Sequence, residues 1–172
     1  MAIEIVLIGS NVDRERCVAR VLQALLELSG SVHVSRIVET PPVGLVDGGS
    51  AFLNLAAALP WDRETAELKQ QLIAIEVALG RDRGDRRSSV KSRTADIDPV
   101  LRLESDSTHV TPDALPTEPY AREVLVEVLA HIGVRVDVSP MSTLPAVEIP
   151  WGDARLGRSP ASLRRSVSQP PA

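Results

Sequence analysis

Two apolar stripes at helical spacing, each closed by a glycine, limit the folds open to this chain more than any other feature. Val18, Val21, Leu22, Leu25 and Leu28 share one face of a helix that Gly30 stops, with Asn11 or Asp13 placed to cap its start. Leu68, Leu72, Ile75 and Leu79 repeat the device over 62–79, with Gly80 as the stop. Each stripe needs an apolar sheet to cover it, and the segments between supply one. Residues 2–8 are rich in Ile, Val and Leu. The run 32–40 alternates, with Arg36 as the exception. The run 51–59 sends Phe52 and Asn54 to one face and Leu53, Leu55 and Leu59 to the other. A further strand runs from Asp96 toward Leu103, where Pro99 requires a sheet edge or a bulge. Strand–helix–strand, given twice, predicts an α+β ferredoxin-like βαββαβ sandwich. Its antiparallel sheet carries the long helices on one face and leaves the opposite face for ligands.

Past this unit, 104–119 is polar and proline-dotted and reads as loop. Val124, Leu125, Val128 and Leu129 predict a third helix over 120–132, stopped by Gly133, and 134–138 a short strand. From 140 onward Pro, Ser, Arg and Gly dominate. The expected organisation is one domain over 1–139 and a largely disordered tail over 140–172. Only Phe52, Trp61, Tyr120 and Trp151 are aromatic, so Leu, Val, Ile and Ala must build the core. A net charge of −4 provides no global basic field for nucleic acid. Cys17 is the only cysteine, which excludes an intrachain disulfide and a Cys-rich zinc site, and its helical position suits a small buried thiol. The first residues lack a signal-peptide layout, and no apolar run reaches membrane-spanning length. The expectation is a cytoplasmic protein without membrane or nucleic-acid partners.

The chemistry concentrates around Asp96 and Asp98. Two residues apart on a strand, they leave the same face, roughly 7 Å from each other at the backbone. Carboxylates that close repel unless a cation sits between them, and one or two Mg²⁺ ions suit the pair. Arg81, Arg83, Arg86, Arg87, Lys91 and Arg93 lie just upstream, which suggests polyphosphate. The same residues also fit an edge strand that blocks aggregation with charge, beside a solvated loop. Phe52, Asn54, Thr40 and the rigid Pro41-Pro42 offer an aromatic plate, an amide and a stiff rim for a flat heterocycle. No glycine-rich phosphate loop of either common type is present, so a nucleotide would have to be held by metal and arginines. His33, His109 and His131 have no metal-ligand spacing and read as surface or strand residues.

Taken together, Ile8-Gly9-Ser10-Asn11, Thr40-Pro41-Pro42-Val43-Gly44, Phe52-Leu53-Asn54, Ile75-Glu76, Leu79-Gly80-Arg81-Asp82-Arg83 and Arg93-Thr94-Ala95-Asp96-Ile97-Asp98 resemble one family. It is the 6-hydroxymethyl-7,8-dihydropterin pyrophosphokinase family of folate biosynthesis. The resemblance implies an ATP- and Mg²⁺-dependent diphosphokinase that transfers pyrophosphate to the pterin hydroxymethyl group and releases AMP. It implies two Mg²⁺ ions on Asp96 and Asp98, with Arg81 and Arg93 as further catalytic residues. Glu76, Arg81, Arg83, Arg93 and Arg122 would serve ATP, and Thr40, Pro42, Val43, Phe52 and Asn54 the pterin. Small molecules are the only partners it implies. The chain departs from the family at Thr117, where a histidine is usual, and at Val124, where a stacking phenylalanine is usual. These departures leave a second reading, a diverged homologue that binds a pterin or nucleotide without efficient transfer. Tyr120, one turn before Val124, is placed either to cover the pterin's second face or to pack the helix start.

Overall fold

The computed structural model of the chain describes residues 1–42, 50–81, 94–138 and 144–165. Its central strands, β1 (Ile3–Ser10) and β4 (Phe52–Pro60), pair antiparallel from Ile3 opposite Pro60 to Ser10 opposite Leu53. β5 (Asp96–Leu103) flanks β1, and β2 (Ser31–Val34) flanks β4. β10 (Ala161–Arg164) lies outside β2, and β3 (Val38–Thr40) pairs with the start of β4. Every pairing in this six-stranded sheet is antiparallel.

The two striped helices, α1 (Arg14–Ser29) and α2 (Thr65–Ala78), cover one face. Val18, Val21, Leu22, Leu25, Leu68 and Leu72 pack there against Leu53, Leu55, Leu59 and Ile97. Gly30 ends α1 at φ 77°, where its amide donates to Leu26 O. Cys17 is buried on α1, and burial first, then the negative charge of Asp13, pushes its thiol pKa up. Asp13 occupies the N-cap position of α1 without a side-chain capping bond.

The expectation that helices keep to one face fails for α3 (Pro119–His131). Its Val124, Leu125, Val128 and Leu129 pack on the opposite face against Ile5, Ala56 and Ala58. A stripe of four apolar side chains cannot be left in water, and the small alanines of β4 let a helix approach. Only part of that second face stays open.

The run 32–40 is two strands rather than one. At the break Ser35 exchanges backbone and side-chain hydrogen bonds with Ala56, and Arg36 turns toward α3. Both readings of Pro99 hold. β5 is an edge strand, and its register with β1 slips between Ile5–Leu101 and Val6–Pro99, leaving Val100 as the extra residue. The segment 104–119 carries β6 (His109–Val110), which pairs parallel with β7 (Arg135–Val136), and a 3-10 turn at Pro112–Ala114.

The expectation of a disordered tail is not met over 144–165. β8 (Ile149–Trp151) and β9 (Ala154–Leu156) form a hairpin whose Ile149 and Leu156 enter the main core, and β10 extends the sheet. A few well-spaced apolar residues in a polar stretch suffice to dock it. Among the described residues no helix is long and apolar enough to cross a membrane.

Candidate functional site

The open part of the second sheet face, walled by α3, is a cavity of about 630 Å³. Strand alternation delivers its floor. Phe52 and Asn54 point into it from β4, Asp96 and Asp98 from β5, and Thr40 stands opposite Phe52 on β3. Gly9 of β1 sits between, opposite Asn54 on one side and Asp96 on the other. A methyl group at Gly9 would stand 3.2 Å from Asn54 Oδ1 and 3.8 Å from Phe52 Cδ1, so the missing side chain keeps the floor open. Asn54 Nδ2 donates to Thr40 Oγ1 at 2.8 Å, which fixes the amide and leaves Oδ1 facing Gly9.

The two carboxylates differ in setting. The Asp96 side chain is 28% exposed and accepts from Arg81 Nη1, while that of Asp98 is 54% exposed and accepts from Lys69 Nζ. Both cations come round the open edge of β5. Arg81 Nη1 also donates to Ala95 O at 3.1 Å and to Glu76 Oε1 at 2.9 Å. Glu76 is fully buried and does not line the cavity. Its Oε1 accepts the Ile97 amide at 2.7 Å, so it holds β5 from beneath.

Two hard carboxylates on one face suit magnesium, which binds through one or two protein oxygens and fills its shell with water and phosphate. Among the described residues no group of three or more His, Cys, Asp or Glu gathers into a closed metal cage. The donor set fits a metal shared with a phosphorylated substrate better than a structural ion.

Other candidates from the sequence fall differently. Pro41 lines the cavity, whereas Pro42 is exposed and does not. Val43, Arg83 and Arg93 lie outside the described residues. Arg122 is also off the cavity, with Nη1 donating to Pro112 O at 3.3 Å. Val124 is fully buried in the α3 core, and Thr117 is exposed and off the cavity. Tyr120 does line it, on the wall facing β4 and β5.

Sequence reasoning missed Lys69, Glu123 and the role of Arg36. Glu123 lines the cavity wall and is clamped by Arg36, whose Nη2 lies 2.5 Å from Glu123 Oε1. The same guanidinium donates through Nε to Glu127 Oε1 at 2.7 Å and through Nη1 to Leu144 O at 3.1 Å. The broken alternation at Arg36 was the available signal.

A family model, that of 7,8-dihydro-6-hydroxymethylpterin-pyrophosphokinase, matches residues 5–133. No curated protein sequence matches the chain.

Proposed function

The chain belongs to this pyrophosphokinase family, and from that premise we propose that it transfers pyrophosphate from ATP to 6-hydroxymethyl-7,8-dihydropterin, releasing AMP. One observation supports the reading most: Phe52, Asn54, Asp96 and Asp98 open onto a single cavity. In this reading Phe52 stacks on the pterin, Asn54 hydrogen-bonds its edge with Thr40 holding the amide, and Pro42 and Val43 belong to the rim. Asp96 and Asp98 hold magnesium, which when bound neutralises triphosphate charge. The pterin hydroxyl oxygen bonds to the β-phosphorus as the bond between that phosphorus and the oxygen bridging it to the α-phosphorus breaks. AMP leaves with the bond's electron pair, and the hydroxyl proton passes to solvent. Arg81, Arg83 and Arg93 offset charge on the phosphates, and Glu76 serves this side by holding Arg81 and β5 in place. Arg122 joins them only by leaving Pro112. The strand order β2-β4-β1-β5, with α1 and α2 as crossovers, supports a ferredoxin-like βαββαβ core. A cytoplasmic enzyme of folate biosynthesis that acts on small molecules completes the reading.

The buried Val124 and the exposed Thr117 favour a second reading, a homologue that binds pterin or nucleotide without efficient transfer. Incubating the protein with ATP, Mg²⁺ and the hydroxymethyl pterin separates them. AMP should form, and Asp96→Ala or Asp98→Ala should abolish it while circular dichroism stays unchanged. Pterin binding without AMP selects the second reading. Near-normal turnover in both variants removes the metal assignment.

A further inference from the structure

A second groove of about 630 Å³ lies on the other side of the molecule, between α1, the β8–β9 hairpin and the end of β10. Arg16, Arg20 and Gln23 recur at positions i, i+4 and i+7 and so share one exposed face of α1. Arg165 faces them across the groove, while Arg164 lies at its edge and shares the sheet face of Ser162 and His33. The backbone of Arg164 and Arg165 is fixed by the pairing of β10 with β2 and by Arg165 N donating to Gly30 O at 3.0 Å. Trp151 forms part of the wall. It is half-buried, packed on one side against the main core, and carried on a tight hairpin.

Arg16, Arg20 and Arg165 thus line one concavity with no carboxylate in its lining. Among the described residues Arg20, Arg164 and Arg165 form no ion pair, and Arg16 has only a loose, exposed pair with Asp13 at 3.7 Å. Asp153, in the hairpin turn, is exposed and does not line the groove. Asp13 and Glu27 lie beside this groove rather than in its lining, and like charges held together there favour an anion from outside. Guanidinium forks match phosphate geometry, and a partly exposed indole offers a face for a planar ring. The volume suits one small ligand. The bounded groove and the net charge of −4 argue against an extended nucleic acid strand. Trp151, Arg164 and Arg165 come from beyond the residues the family model matches, so the groove adds to that family's common part.

We propose that this groove is a second ligand site, for a nucleoside phosphate whose base stacks on Trp151 and whose phosphates bind Arg20 and Arg165. It shares no residue with the cavity that holds Asp96 and Asp98, so it stands or falls apart from the proposed pyrophosphoryl transfer.

Tryptophan fluorescence tests it, because Trp61 is buried and the half-buried Trp151 is the reporter at the groove. The full chain is titrated with ADP without magnesium at about 0.15 M salt. Saturable quenching is expected, with inorganic pyrophosphate competing. The double variant Arg20→Ala/Arg165→Ala should weaken ADP binding at least about tenfold. Asp96→Ala should bind ADP like the wild type, and Trp151→Phe should lose the signal. The proposal is overturned by any of four results: no saturable change; equal binding by the double variant; loss of binding in Asp96→Ala; or tighter binding of a glutamate-rich peptide or single-stranded oligonucleotide than of ADP.

Discussion

Glu76 Oε1 accepts the amide hydrogen of Ile97 at 2.7 Å, so a carboxylate without solvent exposure fixes the backbone between Asp96 and Asp98. The same oxygen lies 2.9 Å from Arg81 Nη1, and Arg81 passes on to Asp96. One buried charge pair therefore sets the position of the strand that carries both exposed acids.

Glu76→Ala should be among the most destabilising single changes in the protein. It leaves the buried Ile97 amide without its acceptor and removes the buried partner of Arg81, which keeps Asp96 and Ala95 O. Breaking a buried pair costs about 3–5 kcal/mol. Glu76→Gln keeps an acceptor oxygen and should cost less. Urea unfolding of the three proteins checks the order.

Gly9→Ala should narrow the cavity without unfolding the sheet. The added methyl meets Asn54 Oδ1 and Phe52 Cδ1, both side-chain atoms, rather than backbone. Pterin affinity should fall at least about tenfold, or 1.4 kcal/mol, with the urea midpoint nearly unchanged. Calorimetric titration measures the first quantity.

Tyr120→Ala tests the second wall. Tyr120 and Phe52 line one cavity, and an aromatic partner contributes about 0.5–1.5 kcal/mol beyond buried area. Pterin binding should weaken by up to about tenfold, with ATP binding little changed. Unchanged pterin affinity would confine the ring to packing the start of α3.

The attachment of β10 should depend on pH. Ser162 Oγ lies 2.9 Å from both His33 Nδ1 and His131 Nε2, so the hydroxyl donates to one neutral imidazole and accepts from the other. Burial first, then the charges of His131 and Arg164, lower the His33 pKa below its ordinary 6.5. Between the lowered value and 6.5 the folded protein binds fewer protons than the unfolded chain. Stability is therefore fully present above 6.5 and falls as pH drops through that window. Melting temperature and amide exchange in Ala161–Arg164 should both report the loss, and His33→Gln should flatten the dependence.

Much of this was legible in the chain. The α1 and α2 stripes named their sheet face because Leu53, Leu55 and Leu59 alternate with Phe52 and Asn54, and Pro99 announced both edge and bulge. The α3 stripe demanded cover, yet nothing local says which face of a sheet supplies it. Arg36 looked like a flaw in a strand because its partners, Glu123 and Glu127, come 87 and 91 positions later. Gly9 shapes the cavity by what it lacks, which only its neighbours reveal. In the segment 144–165, Ile149, Leu156 and Leu163 are too few to lift the average composition, although each docks against the core.

β10 also has a protective consequence. Its four residues occupy the side of β2 that faces away from β4, so the hydrogen-bonding groups there meet the protein's own backbone. At the far end of the sheet, Pro99 and the slipped register interrupt the regular row that a foreign strand would need. A shortened protein ending near residue 133 would keep the cavity floor of Phe52, Asn54, Asp96 and Asp98. It would also carry a bare strand able to zip onto a second copy, so what the final strand guards is solubility.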